Sequence, residues 1–165
     1  MRIALLSDTH GFIDTHTLNY LHDVDEIWHA GDIGNKEILE QLNQIKPTKA
    51  VFGNIDSGEL LYNLPEFIFM EVNSCKILMI HIAGKMGTYN KKTNQLITQY
   101  KPDILICGHS HILKVAFDSA KNLLYMNPGA AGNHGFHQEK TMLKFEINNK
   151  KPENLFLIKL GTRGK

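Results

Sequence analysis

Arginine is nearly absent: in 165 residues it occurs only at Arg2 and Arg163, one at each end of the chain. An anion held mid-chain must then be met by a metal, lysine, histidine or backbone N–H groups, because no guanidinium fork is near it in sequence. Excess charge is missing too, since 18 basic and 17 acidic residues give a formal +1. With no basic stripe, electrostatics offers nothing to nucleic acid. The two cysteines, Cys75 and Cys107, both sit inside apolar runs. That excludes a disulfide framework and reads as reduced, small hydrophobes of a cytosolic protein. Long apolar runs are lacking as well. Strand-like sequence begins at Arg2, with no stretch of the length a signal peptide or membrane span needs. Repeats, low-complexity tracts and linker-like segments are absent. The expectation is one domain over 1–165, soluble and cytoplasmic, without a membrane partner.

What is present is a recurring phrase: an apolar run, often a glycine, then a side chain able to bind metal. Its plainest form runs from Asp103 to His111. Residues 104–107 read as a strand buried on both faces, Gly108 breaks it, and His109 and His111 follow at i and i+2. At a strand end that spacing can point both imidazoles the same way. Strand-like runs over 3–6, 26–30, 50–52 and 76–82 lead likewise to Asp8 and His10, to Asp32, to Asn54 and to His81. Between them, Asp14 or Thr15 caps a helix with Leu18, Tyr20 and Leu21 inward, and Asn35 caps a second with Ile38, Leu39, Leu42 and Ile45 at helical spacing. This β-α-β-α-β order implies a parallel sheet covered by helices. Past Pro65 the pattern predicts an antiparallel hairpin over 67–72 and 76–82, a loop over 83–87, and a third helix over 91–100 ending before Pro102. Strands follow at 114–117, 123–126, 141–147 and 155–160, with 161–165 as a frayed end.

Asp8, His10, Asp32, Asn54, His81, His109 and His111 are thus seven oxygen or nitrogen donors at the ends of five apolar runs. In an open α/β sheet the carboxyl ends of the strands line one crevice, where sites are built. Glycine before Asp32, Asn54 and His109 removes a Cβ and lets backbone approach closely. Singly, Asp32 and Asn54 fit ordinary caps or turns. Jointly, the seven fit a metal centre. One bridging carboxylate gives four donors to each of two ions, as a two-metal hydrolytic site with ions about 3.5–4 Å apart requires. Oxygen and imidazole donors without thiolate suit manganese, iron, cobalt, nickel or zinc and argue against a structural zinc site. Two divalent ions against two carboxylates leave two positive charges, enough for a bridging hydroxide and a phosphodiester monoanion.

In this order, the motifs Asp8-x-His10, Gly31-Asp32, Gly53-Asn54, His81 and Gly108-His109-x-His111 resemble the calcineurin-like metallophosphoesterases, most of all their small prokaryotic phosphodiesterase branch. The resemblance covers Arg2 to about Gly129. It implies an α/β fold (α+β by some schemes): a four-layer αββα sandwich of two mixed β-sheets, with the metal site at the carboxyl ends of the strands. It implies that Asp8, His10, Asp32 and His111 bind one metal, and that Asp32, Asn54, His81 and His109 bind the other, with Asp32 bridging. The cofactors implied are two divalent transition-metal ions, manganese first, with nickel, iron, cobalt or zinc as alternatives. The activity implied is hydrolysis of a small phosphoester, most of all a diester, by attack of metal-bound hydroxide, with Asp32, Asn54 and His81 catalytic as well as ligating.

Two departures from the family pattern matter. Ile55 stands where many larger members place a proton-donating histidine, so turnover on poor leaving groups is expected to be slow. After Asn127-Pro-Gly129 comes Ala130 and not the branch's serine, which leaves substrate contacts there unassigned. His134 and His137 read as loop histidines, with a replacement acid as the alternative. Lys85 reads as a loop lysine with phosphate contact as its alternative, His29 as buried or behind the ligands, and Asn127 as a turn residue. The rival function is a catalytically weak or inactive protein-interaction scaffold, like the metallophosphoesterase-like subunit of the retromer coat. Such relatives tend to have lost ligands, and here all seven stand. Oligomeric state stays open between monomer and homodimer.

Overall fold

In β1 (Arg2–Leu6), Ile3 and Leu5 face one way and Ala4 and Leu6 the other, and all four are fully buried, so this strand has to be covered on both sides. The computed structural model, which describes residues 1–164, shows how. From β1 the chain crosses through α1 (Thr15–Asn19) to β2 (Glu26–His29) and through α2 (Lys36–Ile45) to β3 (Thr48–Ala50), laying down three parallel strands. α3 (Glu59–Asn63) leads to the hairpin β4 (Phe67–Val72) and β5 (Cys75–Ile80), then to a small ribbon, β6 (Gly84–Lys85) and β7 (Thr88–Tyr89). α4 (Lys91–Tyr100) crosses to β8 (Ile104–Ile106), followed by β9 (Lys114–Asp118), β10 (Leu123–Asn127), β11 (Glu139–Asn148) and β12 (Lys151–Thr162).

Two five-stranded mixed sheets result, in the orders β12-β11-β1-β2-β3 and β4-β5-β8-β10-β9. Ile3, Leu5 and Trp28 from the first sheet meet Ile77, Ile104 and Met126 from the second in a core between the sheets. On the outer face of the first sheet, Ile38 and Leu42 of α2 pack with Leu6 and Ile27. Leu96 and Ile97 of α4 cover Leu78 and Leu105 of the second. This is a four-layer αββα sandwich. Local chemistry sets its helices: the Asn35 side chain accepts the Ile38 N–H at 3.2 Å and the Asn90 side chain accepts the Thr93 N–H at 2.8 Å, caps worth about 1 kcal/mol each. α2 and α4 span the expected residues, and Lys101 ends α4 in left-handed backbone just before Pro102.

Elsewhere the structure corrects the expected boundaries. β3 lies two residues earlier than 50–52, because Thr48–Ala50 pair with Ile27–His29 and the chain leaves the sheet where its neighbour ends. The β6–β7 ribbon takes in part of the 83–87 segment expected to be a loop, and the one-turn helix α3 fills a segment to which the sequence assigns no element. β12 is longer than 155–160; left-handed Asn154 lies at its register shift against β11. Gly161 and Thr162, expected to fray, pair with Lys140 and Glu139, while Lys165 lies outside the described residues. No helix among the described residues is long and apolar enough to cross a membrane.

Candidate metal centre

β1, β2, β3, β5 and β8 each hand over to a segment that carries donors, so both sheets build one site. The side chains form two clusters, Asp8 with His10 and His111, and Asp32 with His81 and His109; within each, one donor atom per residue lies within 4.8 Å of the others. In the first, His10 Nε2 and His111 Nε2 are 3.3 Å apart, and His111 Nε2 is 3.2 Å from Asp8 Oδ1. Asp32 touches both clusters: Oδ2 is 3.7 Å from His10 Nε2 and Oδ1 is 3.2 Å from His81 Nε2. Asn54 stands at the rim, exposed, sharing a cavity wall with His81.

The route to convergence differs from the strand-end alternation expected for i, i+2 pairs. Asp8, His10, Asp32, His109 and His111 all have left-handed backbone, with φ between 48° and 67°. A side chain there costs about 1–2 kcal/mol per residue. Five of the twelve non-glycine residues with positive φ among the described residues are these candidate donors. Two glycines permit the close approach. A Cβ on Gly53 would overlap the Asp32 carboxylate, and one on Gly108 would overlap the Ser7 side chain. With Gly108 bare, the His109 N–H reaches both Asp8 oxygens, at 3.2 and 3.1 Å.

Proton positions follow from the partners. His81 Nδ1 lies 2.7 Å from the Ala30 carbonyl, which can only accept, so Nδ1 carries a proton. Nε2 is then the atom facing Asp32, buried and without a hydrogen-bond partner despite the short separation, because the geometry is wrong for a bond. Burial opposes a charged His81, but Asp32, Asp8 and the Ala30 carbonyl outweigh it and raise its pKa, so positive charge is drawn to Nε2. A cation between this nitrogen and the carboxylate satisfies both. His10 is lowered by burial, against the pull of Asp32 and Asp8, which favours its neutral, ligating form. Burial also works to raise Asp32, but His81 and the Ile55 N–H hold it below the usual carboxylate range. Carboxylate oxygens and imidazole nitrogens without thiolate are the donor set of a divalent-cation site.

A model of the calcineurin-like phosphoesterase superfamily domain matches residues 1–150. The chain belongs to this superfamily. A probable metallophosphoesterase of Methanocaldococcus jannaschii is 33% identical over 137 residues, spanning 79% of this chain and 68% of that protein. Vps29 of Entamoeba histolytica, solved with zinc, superposes at a TM-score of 0.76 and 18% identity over 98% of this chain and 99% of that one. A novel archaeal phosphodiesterase superposes at 0.71 and 19% identity over 97% and 100%. At such identities these two structures speak for the fold alone. For this superfamily member, fold and family agree with two candidate cation-binding groups where the ends of both sheets meet.

Several residues that hold the site were underread in sequence. Asp56, next to Ile55, has a buried carboxylate that accepts the N–H groups of Ile33, Gly34 and Gly53 at 3.1, 2.7 and 2.8 Å. It clamps the Asp32 turn to the Asn54 turn. His137 is no free loop histidine: Nε2 donates to the Gly132 carbonyl at 2.9 Å, and Nδ1 lies 3.3 Å from His111 Nδ1. Burial lowers the His137 pKa, which favours a neutral ring whose Nδ1 can accept from His111 Nδ1. His134 stays exposed, its ring centroid 5.0 Å from that of His10. Arg163, remote in sequence, returns to this segment and donates to the His137 carbonyl at 2.9 Å. His29 is fully buried between the Gly31 N–H and the Thr9 hydroxyl, its pKa pushed by burial down to about 4. Asn127, also buried, donates to the Gly108 carbonyl at 2.8 Å and the Ser110 hydroxyl at 3.1 Å, bracing the turn before His109.

Proposed function

We propose that this superfamily member is a two-metal phosphodiesterase acting on a small phosphoester. The observation that carries the reading is the Asp32 carboxylate, which turns one oxygen to each cluster. Asp8, His10, Asp32 and His111 would hold one ion and Asp32, Asn54, His81 and His109 the other, with manganese the first candidate. When bound, such ions polarise phosphoryl oxygens and make a nucleophile of water at neutral pH. The rest falls to the chain. Asp32 fixes the distance between the two ligand sets. The Ala30 carbonyl and His137 fix the rings of His81 and His111, so that little reorganisation is left for the reaction. Asp56 keeps the Asp32 and Asn54 turns in register.

The chain offers no strong acid at position 55, where Ile55 is an exposed aliphatic side chain. Esters that leave as stable anions are therefore favoured over alkyl esters. The rival, a protein-interaction scaffold of this fold, comes with the likeness to Vps29 and predicts no turnover with any divalent ion. Metal-stripped protein assayed with and without Mn²⁺ on an activated aryl phosphodiester, beside the matching monoester, separates the two. Metal-dependent cleavage with the diester preferred is expected. Absence of turnover with every first-row divalent ion, in a folded chain, removes the enzyme reading.

A further inference from the structure

The second cluster stands between two cavities. One, of about 500 Å³, is walled by Asn54 and His81 together with Phe52, Ile80 and Asn90. The other, of about 440 Å³, is walled by His109 together with Met86, Ser110, Ile112 and Tyr125. Both volumes lie in the range of small-molecule sites, and both linings have the usual make-up of such sites, apolar walls with a few polar groups. Ile82, directly after His81, lines both cavities and separates them. The His81 and His109 rings meet nearly edge to face, 5.4 Å between centroids, so a group seated on this cluster has room on either side.

Tetrahedral phosphorus with two ester oxygens projects two organic groups in different directions, whereas a monoester projects one. We infer that the substrate is a phosphodiester with a bulky organic group on each ester oxygen, one group lying in each cavity and Ile82 between them. This rests on the phosphodiesterase reading and goes beyond it, because it names what the diester carries. Hydrolysis breaks one ester P–O bond and forms one from the oxygen of water; one water proton ends on the departing alkoxide oxygen and the other is released to solvent. An alcohol is left in one cavity and a monoester, with a single arm, in the other. The lysines that line the two cavities suit anionic or polar arms. Lys92 is paired with Glu66, whereas Lys91 beside it, and Lys85 and Lys114 across the ridge, have no salt bridge among the described residues.

The test compares bis(p-nitrophenyl) phosphate with methyl p-nitrophenyl phosphate on the manganese-loaded protein. The two share a leaving group and differ only in the arm that stays behind. Lys91→Trp narrows the first cavity and Ile112→Trp the second; both positions are exposed and neither is a donor. The readout is the ratio of kcat/KM for the diaryl ester to that for the methyl ester, relative to wild type. Blocking the cavity of the remaining arm should lower this ratio about tenfold, while blocking that of the leaving group lowers both substrates together. Phe52→Trp and Lys114→Trp replace any variant that circular dichroism shows to be unfolded. A ratio unchanged with both cavities narrowed overturns the inference and leaves the phosphodiesterase reading standing. If wild type cleaves neither ester with any divalent ion, both readings fall.

Discussion

Behind His111 in the first cluster stands His137, and beside His10 stands His134, so imidazole backs imidazole. Around the second cluster, His81 and His109 look instead onto open volume. The first set is anchored, with Asp8 fully buried and bonded by the His109 N–H, while the second joins two buried candidate donors, Asp32 and His81, to two exposed ones, Asn54 and His109. This contrast suggests a division of labour. On the proposed two-metal reading, an ion in the first set would be held from behind, and one in the second would face the two cavities.

Asp32, the residue common to both sides, is where the largest effect is expected. Asp32→Ala should lower diester turnover by about three orders of magnitude and leave the fold intact. Its bound metal, counted by elemental analysis, should fall below two ions per chain. Full activity in that variant would remove the bridging role. Next comes the fastening of the first side. Lys140 of β11 is buried and pairs at 2.7 Å with Asp14, whose other oxygen caps α1 through the Thr17 N–H at 2.7 Å. The pair ties the turn after His10 to the segment that carries His134 and His137. Asp14→Asn keeps a capping side chain but strands the lysine, so a loss of about 3 kcal/mol in urea unfolding is expected.

The same pair sets an acid limit. Burial acts to raise Asp14, but Lys140 and Thr17 outweigh it and bring its pKa from 3.8 to about 2. A depressed carboxyl contributes stability that is complete above the unfolded value and lost as pH falls through the folded one. About 2 kcal/mol should therefore vanish between pH 4 and pH 2, and the Asp14→Asn variant should show no such loss. An identical acid profile in both proteins would refute the pairing. The smallest expected effect sharpens the contrast most. His137→Ala should weaken one of two calorimetric manganese sites about 10- to 100-fold and leave the other as it was. Equal weakening of both sites would mean that His137 serves the fold, not His111.

Much of this was readable in the chain, for identifiable reasons. α2 and α4 carry side-chain caps, apolar spacing and a proline stop, all local signals, and their bounds came out as the residues indicated. The parallel β1-β2-β3 order followed from alternating runs and handedness. α3 was not readable: its cap is Gly58, with no side chain to mark it, and it buries only Leu60. The extent of β12 depends on pairing with β11, and pairing is not written in a strand's own residues. At the site, the candidate donors stand out by type and spacing, but the left-handed turns that aim them do not, since such backbone depends on the folded surroundings of each residue. Nor does His137, whose partner His111 lies 26 residues away. Asp56 shows the same limit, because its three N–H donors come from two turns that only the folded sheet brings together.

The left-handed backbone at Asp8, His10, Asp32, His109 and His111 also bears on how such a chain drifts. Glycine at any of the five removes a donor and relieves about 1 kcal/mol of backbone strain. Replacing Asp32 or His81 by a neutral side chain also removes a buried group that has to be satisfied. Selection for stability alone therefore erodes this centre, residue by residue, while leaving the sandwich beneath it sound.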